Sequence, residues 1–308
     1  MTHIIYEEAL ESAPPEAIAM ANAITKGNPA VLGCLFYGSG LWKTIEHDTV
    51  LDFYVIVDSY KNYGAPLSHC FWGTWLPPNV YYTEKTLNGE IIRCKYAVIT
   101  WAQFYRSARG FSIAPSIFAR FSQPCRLLCA KNDTAQEKII KALYEANTTF
   151  HRRTLRLLAK RKISPAEIWQ VGLAETYKSE LRSEKKGRNT SIFTAAPESF
   201  LGRTALFSQN HPNLLKHMGA QAYENCTPSW QRYCAFFLSP FRRYGGKLVT
   251  LLRLIKAPLT FEGSVDYIVW KIERHTGEKL TPTNFQRRHP LVAGWPLLYK
   301  ALKNKVVK

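Results

Sequence analysis

The segment LFYGSGLWKTIEHDTVLDFYVIVDS, residues 35–59, sets a Gly38-Ser39-Gly40 turn between two apolar runs and puts Asp52 inside the second. Glycines after a strand let backbone N–H groups approach phosphate oxygens, because no Cβ stands in the way. A carboxylate in the next strand can hold a divalent cation that bridges the same phosphates. Gly38, Ser39, Gly40 and Asp52 therefore have the types and order of a phosphate-and-metal site. They also read as an ordinary turn followed by a strand aspartate that is solvated or bonded to a backbone amide.

Such residues need strands to hold them. Runs rich in β-branched and aromatic residues at 31–37, 50–57, 80–83, 91–99 and 127–130, punctuated by GSG, YGAP, LPPN and NG, predict one mixed α/β sheet unit. From Thr134 the apolar period becomes helical, with Ile139, Ile140, Leu143 and Tyr144, and the pattern runs on to Lys162. Ser164 as N-cap, Pro165 in the first turn and Glu167 in capping-box position open a further helix. Glu180 shares a side of that helix with Trp169, Leu173 and Tyr177; at the edge of an apolar face it needs a salt bridge or a metal. EKKGRN at 184–189 is a charged break. Beyond it helices are expected at 247–256 and 265–275. The tail at 289–308 sets Leu298, Ala301, Leu302 and Val306 on one face, with Lys300, Lys303 and Lys308 around the other. Such an end suits an anionic membrane interface or packing on its own domain.

Composition narrows the partners. The chain has 308 residues, 46% of them hydrophobic, and a formal net charge of +18, which predicts an anionic partner: nucleic acid, a nucleotide or an acidic lipid surface. Its seven cysteines (Cys34, Cys70, Cys94, Cys125, Cys129, Cys226 and Cys234) form no CxxC or zinc spacing, so reduced core thiols in a cytoplasmic setting are expected. Glu7, Glu8 and Glu11 near the start argue against a secretory or transit peptide. No window holds the roughly 18 uncharged apolar residues of a membrane-spanning helix.

The glycine-serine and aspartate order resembles the signature of the DNA polymerase beta-like nucleotidyltransferases. Those enzymes carry a second acidic residue two positions on, where this chain has Tyr54. Cations that clamp nucleophile and leaving group need anionic oxygen ligands, so the missing carboxylate is sought at Asp48, Asp58 or Glu180. With YGSGL at 37–41, LDFYVIVD at 51–58, NVYYTEKTLNGEIIRCKYAVIT at 79–100, ARFSQPCRLL at 119–128 and LAETYKSELR at 173–182, the chain resembles the mitochondrial-type CDP-diacylglycerol synthases. These are phosphatidate cytidylyltransferases of the translocator assembly and maintenance type. The resemblance covers roughly 33–182. It implies an α/β (α+β) chain with a nucleotidyltransferase mixed-sheet catalytic domain at 1–133 and a helical, winged-helix-like domain at 134–189. A C-terminal extension with a basic amphipathic membrane-binding tail follows at 190–308.

The same resemblance implies residue roles. The family's Tyr-x-x-acidic-x-Arg block matches Tyr177, Glu180 and Arg182, and places Glu180 with Asp52 at a magnesium ion, although the family has Asp there. Lys95 matches the Ile-Lys-Tyr-Gly block and would act as a point charge on a triphosphate; as a plain strand lysine it would snorkel. Arg120 matches the Gly-Arg-x-x-Lys-Pro block as a phosphate contact, with Gln123 in place of the lysine. Asp52, Glu180 and Lys95 are thus the expected catalytic residues, and Gly38, Ser39, Gly40, Lys95 and Arg120 the nucleotide contacts. The expected reaction is transfer from CTP to phosphatidate in an anionic membrane surface, by an enzyme peripheral on its inner, cytoplasmic face. RNA as acceptor, or a non-catalytic lipid-binding relative, are the alternatives. No DNA partner is expected, and nothing in the sequence supports a particular oligomeric state.

Overall fold

The computed structural model describes residues 3–42, 49–87, 89–179 and 188–260, with Val269 and Thr283. Five strands, β1 (Val31–Tyr37), β2 (Val50–Val57), β3 (Asn79–Leu87), β4 (Glu90–Thr100) and β5 (Cys125–Ala130), form one sheet in the order β3-β4-β2-β1-β5. β2 and β4 are parallel, and the other neighbours are antiparallel. The expected mixed α/β class is observed. β3 and β4 run longer than the apolar pattern suggested, because they pair with each other as far as Leu87 and Glu90.

Helices cover both faces. α1 (His3–Leu10) and α2 (Pro15–Thr25) precede the sheet, α3 (Leu67–Trp75) leads into β3, and α4 (Trp101–Ala108) and α5 (Ser116–Phe121) fill the link from β4 to β5. α6 (Asp133–Leu155), α7 (Pro165–Lys178), α8 (Arg188–Ala195), α9 (Pro197–Asn210) and α10 (Ser229–Thr260) follow. Alternating strand residues split the core: Phe36, Phe53 and Val55 pack on Met20 and Ile24 of α2, whereas Leu35, Tyr54, Ile56 and Ile99 meet Phe104, Phe121, Leu143 and Trp169. Each such side chain contributes about 1.5–3 kcal/mol by burial.

α6 starts where Asn132 Oδ1 accepts from the Ala135 N–H at 2.9 Å, and Gly33 lets it lie on β1, since a Cβ there would collide with Ile139. α7 carries the expected capping box, with Glu167 Oε2 accepting from the Ser164 N–H at 2.9 Å and Ser164 Oγ from the Glu167 N–H at 3.3 Å. The apolar layer runs from the strands through α6 and α7 to Phe200 of α9. A small antiparallel sheet, β6 (Lys162–Ile163), β8 (Tyr223–Asn225) and β7 (Leu215–His217) in that order, joins the expected helical unit to the expected extension. α1 is tied to α9 by a buried ion pair of Glu8 with Arg203, whose Nη1 also donates to Ser122 O at 3.1 Å.

α10 is one helix of 32 residues that includes the expected 247–256 segment; the 265–275 helix and the 289–308 tail lie outside the described residues. Among the described residues, no helix is long and apolar enough to cross a membrane. All seven cysteines are free; Cys34, Cys94 and Cys125 are buried as expected, while Cys234 on α10 is exposed.

Candidate active site

Strand register builds the site. Tyr37 of β1 lies opposite Asp52 of β2, Asp52 beside Lys95 of β4, and Lys95 opposite Tyr82 of β3, so one row crosses four strands. All four residues lie in the phase of the core face built by α4 to α7. One row further in, Leu35, Tyr54, Ala97 and Val80 are apolar apart from the Tyr54 hydroxyl. One row further out, Arg93 Nε meets Glu84 Oε1 at 3.2 Å, and Tyr82 donates to the same oxygen at 2.6 Å. The sheet face thus changes from apolar to charged at the Asp52 row, where Tyr37, Asp52 and Lys95 are half-buried and Tyr82 is buried.

Gly38 follows β1 with φ 91° and ψ −159°, a region that is essentially open to glycine alone. A Cβ at Gly38 would stand 3.3 Å from Asp52 Oδ2, so the main chain runs against that carboxylate. Gly40 has a different task. Its Cβ would meet Phe36 Cζ at 2.9 Å, which makes it a packing glycine. Ser39 is exposed on the single helical turn Ser39–Leu41, closed by the Leu41 N–H donating to Gly38 O at 3.2 Å.

Arg120 projects from α5 onto an aromatic shelf. Its guanidinium carbon lies 5.0 Å from the Tyr37 ring centre and 5.7 Å from that of Tyr54, and Nη1 donates to the Tyr54 hydroxyl at 3.2 Å. The edge-on Phe121 ring, 5.1 Å from Tyr54, buttresses the shelf. Where the polymerase beta-like signature has a second acid, this chain therefore has a tyrosine whose hydroxyl accepts from Arg120. Cys94, next to Lys95, has its thiol pushed up to about 12, first by burial and then by the negative charge of Asp52.

Gly38, Asp52, Lys95 and Arg120 are brought to one patch. Gln123 is not: its amide turns back to donate to Ala119 O at 2.8 Å. Asp58 stands at the far end of β2, about 20 Å along the strand from Asp52, accepting from the Ser59 N–H and from Asn62 Nδ2. Asp48, Glu180 and Arg182 lie outside the described residues, and Tyr177 packs against the main core. Among the described residues no group of three or more His, Cys, Asp or Glu side chains converges. Asp52 alone still suits magnesium carried in with a triphosphate, because that ion keeps several waters and takes one or two carboxylates besides substrate phosphates.

Sequence reasoning gave Tyr37, Tyr82, Arg93 and Glu84 no role. Alternation within each strand sets Tyr82 and Glu84 on one side of β3 and Arg93 and Lys95 on one side of β4, but only the strand pairings join them, and Tyr37, into one region. No protein-family model matches the chain, and no curated protein matches it. Among solved structures it is similar to a nucleotidyltransferase-like protein from Exiguobacterium sibiricum, at 11% identity over 94% of this chain and 92% of that one. The TM-score is 0.28, a likeness too weak to bear on fold or site.

Proposed function

We propose that the protein is a nucleotidyltransferase that moves a cytidylyl group from CTP to phosphatidate, releasing pyrophosphate and leaving CDP-diacylglycerol. Support comes from the patch itself: the Gly38 main chain against Asp52, with Lys95 in the adjacent register position and Arg120 over Tyr37. One carboxylate, two cations and a glycine approach are what a metal-bound triphosphate needs. When bound with the nucleotide, magnesium would neutralise charge on the phosphate oxygens.

The chain's residues position and stabilise. Gly38 leaves room for phosphate oxygens, Asp52 offers an anionic oxygen, Lys95 a compact charge and Arg120 a planar fork. An oxygen of the acceptor phosphate attacks the α-phosphorus of CTP, the bond to the β-phosphate oxygen breaks, and pyrophosphate departs with the negative charge. No protein nucleophile is required, so the rate gain lies in alignment and charge stabilisation. A lipid phosphate as acceptor rests on the five-block resemblance and the net charge of +18. It implies work at a membrane surface.

The test is transfer of label from CTP into phosphatidate vesicles with magnesium, in the wild type, Asp52→Asn and Lys95→Gln. Label should enter the lipid with the wild type and fail with both variants. Label entering RNA instead, or lipid labelling that survives Asp52→Asn, would overturn the proposal.

A further inference from the structure

A groove lies beyond α5, between the 111–115 loop, α6, α7 and α10. Ile113, Phe118, Leu157 and Ala235 give it apolar walls, and Arg153 and Arg242 line it. Arg153 donates to Gly110 O, and its guanidinium carbon lies 4.6 Å from the Phe118 ring centre. Arg156 donates through Nε to Gln231 Oε1 at 3.2 Å. Half-buried Arg242 has no hydrogen-bond or ion-pair partner among the described residues.

These guanidiniums feel one another. Arg153 is pushed down to about 10, first by burial and then by Arg242 and Arg156, and Arg156 is lowered by burial and Arg242. The carboxylate in the groove lining, Glu175, is already taken: Oε1 accepts from Ser239 Oγ and Arg243 Nε at 2.8 Å each, and Oε2 from Arg243 Nη2 at 2.7 Å. Like charges gathered in a half-buried groove without a counter-charge are costly, and an anion removes that cost. The apolar walls call for more than a bare ion.

α10 adds the second line of argument. Ala235, Ser239 and Arg242 face the groove, while Phe237, Phe241, Tyr244 and Leu248 on the opposite side are all more than half exposed. The helix has no acidic residue, and its charged residues are Arg232, Arg242, Arg243, Lys247, Arg253 and Lys256. The helix that roofs the groove thus turns an aromatic, acid-free side outward, as interfacial helices do.

We propose that the groove seats the phosphate headgroup of an anionic lipid, gripped by Arg242 and Arg153, with Arg156 adding positive charge beside it and the outer side of α10 in the bilayer interface. Such a site rests on the proposed function for the lipid it takes; its lining contains none of Gly38, Asp52, Lys95 and Arg120, so it docks anionic lipid at the surface and does not hold the reacting phosphate. Its test is co-sedimentation of the full chain with phosphatidylcholine vesicles made with and without phosphatidate, for the wild type, Arg242→Gln, Arg156→Gln and the remote Lys61→Gln. Thermal unfolding of each variant establishes that it folds. The wild type and Lys61→Gln should bind only vesicles with phosphatidate, and each arginine variant about tenfold more weakly. Inorganic phosphate at the same phosphate concentration should not displace the protein.

Unchanged binding by a folded Arg242→Gln, equal binding to both vesicle types, full displacement by inorganic phosphate, or an Arg242-dependent retention on RNA alone would overturn the inference. Stabilisation by CTP and magnesium, measured in the same variants, separates the two readings. Lipid binding that needs Arg242 while the wild type shows no CTP response sinks the proposed reaction and leaves the groove standing. A normal CTP response with lipid binding indifferent to Arg242 does the reverse.

Discussion

Replacing Gly38 by alanine tests the site at the point where main chain meets carboxylate. At φ 91° and ψ −159° a side chain is strained by about 1–3 kcal/mol. The added Cβ would also stand 3.3 Å from Asp52 Oδ2, closer than ordinary contact, so the carboxylate must move away from the turn. Gly64→Ala is the matched control: φ is 85°, and nothing lies within 4 Å of its Cβ. It should cost about 1–2 kcal/mol of positive-φ strain and nothing else. Urea denaturation should therefore show a loss in both variants, whereas stabilisation by CTP with magnesium should disappear only in Gly38→Ala. If Gly38→Ala keeps the wild-type nucleotide response, or Gly64→Ala loses it equally, the geometric reasoning is refuted.

Tyr54→Phe keeps the aromatic shelf but removes the acceptor of Arg120 Nη1; urea unfolding should change by about 0.5–1.5 kcal/mol, while calorimetry should show weaker CTP binding. Glu8→Ala strands the Arg203 guanidinium, which is only 1% exposed, and should cost about 3–5 kcal/mol in urea denaturation. His151 is lowered from 6.5 to about 4, chiefly by burial, and its ring sits between Asn147 O at 2.9 Å and Thr204 Oγ1 at 3.3 Å. The unfolded chain then binds this proton first, so stability is full above the ordinary histidine value and falls as the pH drops towards the folded one. By about pH 5 this amounts to about 2 kcal/mol, and urea midpoints of His151→Gln should lack that slope.

The strands were legible because β-branched runs alternate with turn glycines and prolines, and the start of α7 because Ser164 and Glu167 stand three residues apart. Gly38 and Asp52 were legible as a glycine after one strand and an acid in the next. The rest of the row was not, since Tyr82 and Tyr37 reach Asp52 only through pairings across three strand boundaries, which no local pattern encodes. Tyr54 looked like a missing acid; its use as a hydrogen-bond acceptor for Arg120 depends on α5 arriving from 66 residues away. α10 was seen only in part because Pro240 and the Gly245-Gly246 pair resemble a break. Those glycines serve tertiary packing: a Cβ at Gly246 would meet Ser179 O at 2.5 Å, where α10 crosses the end of α7.

The most direct test of the central claim is calorimetric titration of CTP, with and without magnesium, into the wild type, Asp52→Asn and Lys95→Gln. Binding should require magnesium in the wild type, vanish in Asp52→Asn and weaken about tenfold in Lys95→Gln. Equal, magnesium-independent binding by the wild type and Asp52→Asn would contradict a nucleotide site at the Asp52 row.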